Sequence, residues 1–380
     1  MSSSPSSAFF ATAPRGLEPL LLKELQSLGA ESAEAVPGGV SFTGPWEACY
    51  RANLWSRIAS RVLWRIHSFE YRDESDIYAK TKALDWPRYF AVERTLRVNL
   101  TAQKSPLRSL EFATLRIKDA VCDRFRDVLG KRPDVERAAP DARVHAFLER
   151  DQATLYLDTS GEPLFKRGWR TGQAEAPLRE NLAAGIVMLT GWQPGEPLLD
   201  PMCGGATLLV EAAAMARGRP PGAKRSFGFE KLSVFDPGLW EAIKHQKAKP
   251  SDCHLYGSDS DPQALDAARR NLAAAGVERW VKLERADVLE RAAPAPAGVM
   301  VANPPYGERM GSAAELAAFY PKLGDALKKS FAGWRCYIFT ADLRLPKLIR
   351  LAPSARTPLW NGALECRLYE FRMVSGRPTR

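Results

Sequence analysis

The sequence predicts an α+β amino-terminal half followed by an α/β domain built on a doubly wound, mainly parallel sheet. Two observations support this fold class. Helical and strand periodicities are mixed between about residues 10 and 160, whereas short apolar strands alternate regularly with helices from Leu178 onward. The length of 380 residues is enough for two or more domains. The predicted bounds are 1–65 and 66–160 for two α+β modules, 161–177 for a linker rich in Gly, Pro and charge, and 178–380 for the α/β domain.

Apolar spacing predicts the elements of the amino-terminal half. A recurrence every four residues is typical of one face of a helix, and it is found at Leu54, Ile58, Val62 and Ile66. Apolar and polar residues alternate on both sides of a charged turn further along, which predicts a hairpin. The predicted helices are Leu17–Leu28, Trp46–Ile66 and Leu115–Phe125, and the predicted strands are Gly39–Phe42, Thr95–Leu100, Val144–Glu149 and Thr154–Asp158.

The carboxyl-terminal half reads as a series of βαβ units. Its predicted strands are Pro197–Asp200, Leu255–Ser258, Val281–Arg285, Gly298–Ala302, Cys336–Thr340 and Leu364–Met373. Its predicted helices are Leu182–Trp192, Thr207–Ala216, Pro262–Ala275 and Leu316–Ser330. The first two strands are much farther apart than one βαβ unit requires, so we expect an insertion at about residues 218–250.

The charge balance favours a polyanionic partner. The chain carries 54 Lys and Arg against 44 Asp and Glu, a net charge of +10. Residues 322–380 concentrate this charge, with 12 basic against 4 acidic side chains. That segment is equally consistent with a solvated face and with a surface that contacts phosphates beside an active site.

Other bulk features exclude several classes of protein. No apolar run is long enough to span a membrane, and the Ser-rich start, Met1–Ser7, lacks the basic and apolar regions of a secretory signal. We therefore expect a cytoplasmic protein with no membrane partner. The six cysteines and four histidines show no metal-ligand spacing, so we expect neither a disulfide framework nor a metal site.

A turn rich in small residues joins the predicted strand Pro197–Asp200 to the predicted helix Thr207–Ala216. Its residues are Asp200, Pro201, Met202, Cys203, Gly204, Gly205 and Ala206. Small side chains let a ligand approach the backbone closely, and a helix amino terminus attracts negative charge. The pattern is not the G-x-G-x-x-G of dinucleotide sites. A carboxylate at the strand end suits a cationic amino group such as that of methionine, but an ordinary strand–helix turn would have the same pattern.

Acidic residues also follow the next two strands. Asp259 can accept hydrogen bonds from both hydroxyls of a ribose, with Asp261 as a second candidate. Asp261 precedes Pro262, which is the pattern of a helix N-cap, and we expect capping to be its main role. Asp287 lies just past the strand Val281–Arg285, where it is either an acceptor for an adenine amino group or a simple turn residue.

The sharpest motif is Asn303-Pro304-Pro305-Tyr306, which follows the predicted strand Gly298–Ala302. An amino group on a base is a poor nucleophile because its lone pair is delocalised into the ring. The Asn303 side-chain oxygen and the Pro304 carbonyl can accept its two hydrogens and free that lone pair, while Tyr306 can stack on the base. The two prolines keep the loop stiff, so positioning is prepared beforehand. A rigid turn with a capping Asn is the alternative interpretation.

These residues resemble the class I methyltransferases that act on amino groups, whose signature is (N/D)PP(Y/F). Further segments look like THUMP-containing RNA methyltransferases, and together they resemble the bacterial 23S rRNA guanine-N2 methyltransferase family over nearly the whole chain. The segments are Phe10–Glu18, Trp55–Arg61, Arg143–Ala146, Arg179–Ala184, Gly191–Gly195 and Asn303–Glu308. Where the family usually reads Cys-Gly-Ser-Gly-Thr, this chain has Cys203-Gly204-Gly205-Ala206-Thr207. The family's glycine at the place of Ala206 implies a positive φ there, which would be strained for alanine, and an adjustment of the turn at Gly205 would relieve that strain.

The resemblance implies a ferredoxin-like module, a THUMP module that binds RNA, and a Rossmann-like class I methyltransferase domain. It implies S-adenosyl-L-methionine as the cofactor and 23S rRNA, or a large-subunit assembly precursor, as a structured RNA partner. The residues that would contact the cofactor are Asp200, Pro201, Cys203, Gly204, Ala206, Asp259, Asp261 and Asp287, with Glu180 and its neighbours Arg179 and Asn181 as secondary candidates. The residues that would hold the guanine during direct in-line transfer are Asn303, Pro304, Pro305 and Tyr306.

Four other functions are compatible with these motifs. The Asn-Pro-Pro-Tyr chemistry also serves DNA adenine-N6 methyltransferases and glutamine methyltransferases that act on proteins, and a tRNA guanine would suit the same loop. The amino-terminal half argues against the DNA and protein substrates, because a short polypeptide would not need it and a DNA enzyme more often carries a separate target-recognition domain. A non-catalytic RNA-binding factor of ribosome assembly is the alternative of a different class. Cofactor binding and substrate competition distinguish these functions.

Overall fold

The computed structural model describes residues 6–170, 178–246, 248–304 and 313–374. Pro305 and Tyr306, two of the predicted catalytic residues, lie outside the described residues. The chain divides into two compact units that alternate along the sequence. Unit 1 comprises residues 1–13, 21–164 and 222–246, and unit 2 comprises residues 14–20, 165–221 and 247–380.

The strands of the described residues are numbered in chain order. They are β1 Ser7–Thr12, β2 Ser32–Val36, β3 Gly39–Gly44, β4 Arg61–Glu70, β5 Leu96–Gln103, β6 Ala142–Glu149, β7 Gln152–Asp158, β8 Pro197–Asp200, β9 His254–Asp259, β10 Val281–Arg285, β11 Gly298–Ala302, β12 Trp334–Thr340, β13 Ala355–Asn361 and β14 Leu364–Arg372. The first seven belong to one sheet and the last seven to another.

The helices of the described residues follow the same numbering. They are α1 Glu18–Ser27, α2 Trp46–Trp55, α3 Glu74–Lys82, α4 Leu110–Leu129, α5 Glu180–Leu189, α6 Thr207–Ala216, α7 Pro237–Lys244, α8 Pro262–Ala275, α9 Ala313–Ser330 and α10 Leu345–Leu348. Short 3-10 turns occur at Trp86–Arg88, Gly228–Lys231 and Glu278–Trp280.

The sheet of unit 1 has the strand order β2-β3-β1-β4-β7-β6-β5. Its neighbours are antiparallel except β5 and β6, which run parallel. β6 and β7 form the predicted hairpin, with Glu149 opposite Gln152. The strands of both α+β modules therefore belong to one continuous sheet, whose core includes the buried side chains of Trp86, Phe90 and Phe125.

The predicted insertion between the first two strands of the α/β half folds with unit 1. Residues 222–246 belong to unit 1, although the residues on either side belong to unit 2. The ring of Tyr50 in α2 lies 4.4 Å from that of Phe229 and 5.9 Å from that of Trp240. The Tyr50 hydroxyl oxygen accepts a hydrogen bond from the Asp236 amide at 2.9 Å. Aromatic packing and this hydrogen bond therefore hold the insertion in unit 1.

The predicted helix Trp46–Ile66 is wrong in its second half. α2 ends at Trp55, and β4 begins at Arg61 and pairs with β1. Positions four apart share a face in a helix, but they also share a face in a regular strand, because strand side chains alternate with a period of two. Val62 and Ile66 match the helical spacing for this reason, although both belong to β4.

The sheet of unit 2 has the strand order β10-β9-β8-β11-β12-β14-β13. The five strands from β10 to β12 run parallel, and β14 pairs antiparallel with both β12 and β13. This confirms the predicted doubly wound, mainly parallel sheet. After β8 the chain adds β9 and then β10 on one side of β8, and it later adds β11 on the other side of β8. β8 is therefore the switch point, and open α/β sheets bind ligands beyond the carboxyl ends of the strands at such a point.

Residues 14–20 belong to unit 2 and pack closely on it. Leu17 is fully buried, and a Cβ added at Gly185 in α5 would lie 2.4 Å from its Cδ1 atom. The guanidinium of Arg15 stacks 4.1 Å from the ring centre of Trp360 in β13. The missing side chain at Gly185 therefore provides the space that Leu17 fills.

Among the described residues, no helix is both long and apolar enough to cross a membrane. The His, Cys, Asp and Glu side chains of the described ranges form no group of three that could hold a metal ion. All six cysteines are free thiols, of which only Cys253 is partly exposed.

Candidate active site

The unit 2 sheet brings three of the predicted site residues to one edge. Asp200 ends β8, Asp259 ends β9 and Asn303 follows β11. β8 lies between β9 and β11, and the three strands run parallel. Side chains that are far apart in the sequence therefore start from neighbouring positions at the switch point of the sheet.

The turn between β8 and α6 leaves open space next to its backbone. Gly204 has a φ of +50°, and no described heavy atom lies within 4 Å of the place where its Cβ would be. Two hydrogen bonds hold the turn: the Cys203 amide donates to the Ser258 carbonyl at 2.9 Å, and Asn271 Nδ2 donates to the Gly205 carbonyl at 2.9 Å. A ligand can thus approach the backbone at Gly204 while the turn keeps its shape.

Ala206 has the positive φ that the family resemblance implies. Its φ and ψ are 60° and 29°, immediately before α6 begins at Thr207. Gly205, the residue before Ala206, is not among the residues with positive φ. A left-handed conformation costs an L-residue about 1–2 kcal/mol. The Ala206 amide donates to the Cys203 carbonyl at 2.7 Å, and Ala206 is fully buried, so the surrounding structure maintains this conformation.

Asp200 is a buried carboxyl group. It is 2% exposed, and its Oδ1 accepts a hydrogen bond from the Met202 amide at 3.2 Å. Burial raises the pKa of Asp200 to about 8, and the charge of Asp259 adds to the rise, while the hydrogen bond from Met202 opposes it. A cationic group bound beside Asp200 would supply the opposite charge that this carboxylate needs. The structure therefore suits the predicted amino-group ligand.

Asp259 closes the turn onto β9. Its Oδ2 accepts from the Gly204 amide at 2.9 Å, and its Oδ1 accepts from the Asp261 amide at 3.0 Å. The Asp259 carboxylate therefore lies directly beside the open backbone of Gly204. Asp261 caps α8, because its Oδ1 accepts from the Gln263 amide at 2.8 Å and Pro262 is the first helical residue. Its predicted capping role is confirmed, and its contact with a cofactor stays a prediction.

Cys203 and Pro201 are buried in the same turn, and their contact with a cofactor stays a prediction. Burial raises the pKa of the Cys203 thiol well above its ordinary value, and the charges of Asp200 and Asp259 raise it further. The thiol therefore stays protonated and serves as a small apolar side chain. The Ser258 hydroxyl donates to the Pro201 carbonyl at 3.4 Å, which is the third hydrogen bond between this turn and β9.

Asp287 lies in an exposed turn after β10. Its Oδ1 accepts from the Leu289 amide at 2.9 Å, and its carbonyl accepts from the Arg291 amide at 2.9 Å. The preceding amide, that of Ala286, donates to the Asp259 carbonyl at 3.2 Å. The structure thus gives Asp287 a role in the turn beside the end of β9, and the contact with adenine stays a prediction.

Asn303 presents a buried acceptor at the end of β11. Its Oδ1 atom is buried and has no hydrogen-bond partner among the described residues. The strand before it, Gly298–Ala302, is buried along its whole length, and Pro304 after it is buried too. An unpaired buried carbonyl oxygen is unfavourable, and a ligand N–H group that donates to it would remove that cost. Asn303 therefore has the property that an acceptor for a base amino group requires.

Glu180 begins α5 and pairs with Arg170, a residue that sequence analysis did not single out. Arg170 Nε donates to Glu180 Oε1 at 2.9 Å, and its Nη2 donates to the Leu178 carbonyl at 3.1 Å and to Thr207 Oγ1 at 3.3 Å. Burial raises the pKa of Glu180, and the charge of Arg170 opposes the rise. Arg170 thus links the start of α5 to the start of α6. Neither Arg170 nor Asn271 belongs to a local pattern that would mark it in the sequence.

The two neighbours of Glu180 have different surroundings. Arg179 is the N-cap residue of α5, and its guanidinium lies 4.9 Å from the ring centre of Phe165. Asn181 is fully buried in the first turn of the same helix. A role for either residue at the cofactor stays a prediction.

Three family models match consecutive parts of the chain. Residues 8–63 match the RlmL ferredoxin-like domain, and residues 71–158 match the THUMP domain. Residues 167–370 match the RMKL-like methyltransferase domain, which covers more than half of the chain. All of the predicted site residues fall within this last match.

Similar proteins are found among curated sequences and solved structures. A protein of Aeromonas salmonicida (strain A449), named ribosomal RNA large subunit methyltransferase K/L, is 40% identical over 96% of this chain and 54% of its own length. The chain thus spans about half the length of the curated relatives it matches. SMU.472, named as a methyltransferase complexed with SAH, has a TM-score of 0.89 at 29% identity over 99% of this chain and 100% of that one. A structure named as a predicted N6-adenine-specific DNA methylase from Listeria monocytogenes str. 4b F2365 has a TM-score of 0.88 at 29% identity over 97% of each chain.

Proposed function

We infer the function from the premise that this chain belongs to the family of RMKL-like methyltransferase domains. We propose that it transfers the methyl group of S-adenosyl-L-methionine to the exocyclic N2 of a guanine in 23S rRNA or in a large-subunit assembly precursor. The observation that carries the proposal is the buried Asn303 Oδ1, an acceptor with no partner among the described residues at the switch point of the sheet.

The turn between β8 and α6 fits the cofactor. Asp200 would hold the methionine amino group, because this buried carboxyl group needs a cationic partner to ionise at neutral pH. The open space at Gly204 admits the ligand close to the backbone, and Asp259 beside it would accept from the ribose hydroxyls. Asp287 would accept from the adenine amino group. When bound, the cofactor supplies a methyl group already activated on a sulfonium, and the solved neighbour that holds SAH, the demethylated product, supports this choice.

Asn303 and Pro304 would prepare the nucleophile. Asn303 Oδ1 would accept one hydrogen of the guanine amino group, and the Pro304 carbonyl would accept the other. These two hydrogen bonds pull the nitrogen towards tetrahedral geometry and direct its lone pair away from the ring. Positioning and hydrogen bonding of this kind supply the catalysis, and no covalent bond to the protein forms. Pro305 and Tyr306, which lie outside the described residues, complete the proposed loop, with the Tyr306 ring stacked on the base.

The amino-terminal half supports RNA as the substrate. The ferredoxin-like and THUMP matches together cover residues 8–63 and 71–158, and the resemblance assigns RNA binding to the THUMP module. The name of the Aeromonas salmonicida relative refers to large-subunit ribosomal RNA. A guanine stacked in a helix cannot reach the loop after β11, so the target must be unstacked or flipped out.

DNA adenine-N6 methylation is the second candidate. The name of the Listeria monocytogenes neighbour favours it, and the same acceptor at Asn303 would suit the adenine amino group. The two candidates share one mechanism and differ only in the base and its carrier. A direct product analysis therefore distinguishes them.

The decisive experiment is an incubation of the protein with labelled S-adenosyl-L-methionine and 23S rRNA lacking its modifications, followed by digestion of the RNA to nucleosides. Label in N2-methylguanosine is the expected result. Label in N6-methyladenosine would keep the mechanism and overturn the substrate. Cofactor binding without labelled rRNA would exclude 23S rRNA and direct the search to tRNA, DNA or protein. No cofactor binding would favour a non-catalytic assembly factor.

Asn303→Ala is expected to reduce turnover by at least about 100-fold, because one pre-positioned hydrogen-bonding group contributes at this scale. Cofactor affinity is expected to stay within about twofold, since the cofactor ligands are proposed on β8 and β9. Gln193→Ala, which removes an exposed amide from the same unit, is the matched control and is expected to keep full activity. Near-normal turnover of the Asn303 variant would refute the role of this residue.

A further inference from the structure

Three arginines surround one tryptophan at the edge of the unit 2 sheet opposite to the candidate active site. The guanidinium carbons of Arg279, Arg217 and Arg219 lie 4.2, 4.7 and 5.2 Å from the ring centre of Trp280. Arg217 and Arg219 follow the end of α6, and Arg279 and Trp280 precede β10. In a parallel α/β sheet, helices end and strands begin at the same edge. This arginine–tryptophan cluster is therefore separated from the site by the length of a five-residue strand, about 17 Å.

Contacts within the protein explain the positions of Arg217 and Arg219 but not that of Arg279. Arg219 Nη1 donates to the Ala275 carbonyl at 2.9 Å, which satisfies an acceptor at the end of α8. Arg217 Nη1 donates to the Ser251 carbonyl at 3.0 Å. Arg279 is exposed, and its guanidinium lies over the Trp280 ring. Neither Arg217 nor Arg279 pairs with a carboxylate in the part of the chain that the structure describes.

Many other basic residues of unit 2 already have acidic partners. The carboxyl-terminal segment, where the sequence concentrates basic residues, contains the pairs Lys328–Asp325, Arg335–Glu196, Arg344–Asp342, Arg367–Glu365 and Arg372–Glu370. The segments that meet at the cluster, 217–219, 249–254 and 278–282, carry five basic and two acidic side chains. These segments carry a net charge of +3 over 14 residues, against +8 over the 59 residues from 322 to 380, so the positive charge is denser at the cluster than along the carboxyl-terminal segment.

Three guanidinium groups around one ring provide positive charge and hydrogen-bond donors that suit a phosphate. Like charges at this spacing repel each other, and a bound anion removes that repulsion. A guanidinium held over an aromatic ring has its plane fixed, and the N–H groups that it does not use within the protein suit the oxygens of a phosphate. The indole ring contributes an apolar surface next to these donors. The combination of fixed donors and an aromatic surface is typical of proteins that bind the backbone of a nucleic acid.

We propose that the arginine–tryptophan cluster binds the sugar–phosphate backbone of the RNA substrate, at a second contact surface away from the methyl-transfer site. This inference rests on the proposed function, because it takes RNA as the substrate. The cluster contacts phosphates and reads no base, so it increases affinity and fixes the position of the RNA without choosing the nucleotide. The RNA that reaches both surfaces must extend across about 17 Å of unit 2.

The test compares the wild type with Arg217→Ala/Arg279→Ala in binding to unmodified 23S rRNA at several salt concentrations. Each lost phosphate contact reduces the slope of log affinity against log salt by about 0.7–0.9. Two lost contacts at a slope of about 0.8 each weaken binding about 40-fold at about 0.1 M salt. The KM for RNA is expected to rise by the same factor, while kcat and cofactor affinity stay unchanged.

Arg269→Ala/Lys328→Ala is the matched control. It removes the same number of positive charges from exposed positions of unit 2, but Arg269 pairs with Asp266 at 2.8 Å and Lys328 pairs with Asp325 at 3.3 Å. Since these cations already have partners, the control is expected to keep the wild-type salt slope within about 0.3. Arg279→Glu is the second test variant, because this exposed side chain makes no hydrogen bond within the described residues and its replacement removes only the contact with the Trp280 ring.

The outcomes separate this proposal from the proposed function. Wild-type binding with a reduced salt slope in both cluster variants, and not in the control, supports the cluster as an RNA contact. Equal slopes and affinities in the wild type, the cluster variants and the control would overturn the cluster alone. A wild-type protein that neither binds nor methylates rRNA would overturn the RNA substrate and the cluster together.

Discussion

The contact between Leu17 and Gly185 predicts that Gly185→Ala destabilises the protein when Leu17 is present and stabilises it when Leu17 is replaced by alanine. Gly185→Ala places a methyl group 2.4 Å from Leu17 Cδ1, in a position where both residues are buried. Overpacking of this kind costs about 1–3 kcal/mol. Alanine in a helix interior is more favourable than glycine by about 1 kcal/mol. The substitution is therefore expected to destabilise the wild-type background by up to about 2 kcal/mol.

The same substitution is expected to stabilise a Leu17→Ala background. Leu17→Ala alone creates a cavity beside α5 and costs about 2–5 kcal/mol. When Leu17 is absent, the Gly185→Ala methyl group meets no clash, and the helix gains about 1 kcal/mol. The coupling free energy between the two positions then follows from the four variants of a double-mutant cycle, and it is expected to be about 1–3 kcal/mol.

Urea denaturation of the four proteins, monitored by circular dichroism, measures these free energies of unfolding. The wild type and the two single variants are the internal controls for the double variant. A Gly185→Ala effect that is equal in both backgrounds would refute the packing argument, because the clash is the only term that Leu17 changes. Equal effects would mean that residues 14–20 do not fill the space beside α5 in solution.

Two further substitutions test the turn between β8 and α6. The pKa of Asp200 is about 8 in the folded protein, against an ordinary 3.8. Between about pH 4 and 8 the folded protein therefore holds a proton that the unfolded chain has lost. The free energy of unfolding without cofactor is expected to fall as the pH rises through this range. Asp200→Asn is expected to show a smaller fall in urea denaturation over that range, and an equal fall would contradict a buried, protonated Asp200. Gly204→Ala puts a methyl group into open space at a φ of +50°. It is expected to cost about 1–2 kcal/mol of stability and to weaken cofactor binding in calorimetry; unchanged affinity would exclude a close approach of the cofactor at Gly204.

Several elements of unit 2 have the predicted bounds. The strands Pro197–Asp200, Val281–Arg285 and Gly298–Ala302 and the helices Thr207–Ala216 and Pro262–Ala275 begin and end where the sequence pattern places them. Their signals are local: short apolar runs for the central strands β8 and β11, apolar–polar alternation for the edge strand β10, and an Asp-Pro start and a Gly stop for α8. Local signals can be read in a sequence without knowing what each element packs against.

Two edge strands were not predicted from the sequence, and there is a physical reason for this. β2 and β13 are the outer strands of their sheets, and most of their residues are exposed or half-buried. A strand that packs little of its surface needs few apolar residues, so it lacks the alternation by which strands are recognised. The error at residues 46–66 has the opposite cause, because an apolar spacing of four fits both a helix and a strand.

The candidate-site residues that could be predicted from the sequence are those at the ends of strands. Asp200, Asp259 and Asn303 follow apolar strands directly, so the parallel order of the sheet was enough to expect them at one edge. Arg170 and Asn271 were not predicted, because their partners are distant in the sequence or belong to the backbone. A hydrogen bond to a backbone carbonyl has no signature in residue type.

The sequence by itself determined the fold class of unit 2 and the position of the turn between β8 and α6, since both depend on neighbouring residues. Only the tertiary structure decided that residues 222–246 fold with unit 1, that Leu17 fills the space at Gly185 and that Asn303 Oδ1 is buried without a partner among the described residues. These features depend on contacts between segments that are distant along the chain. Such contacts are selected by shape and by the burial of polar atoms, and a one-dimensional pattern does not encode either property.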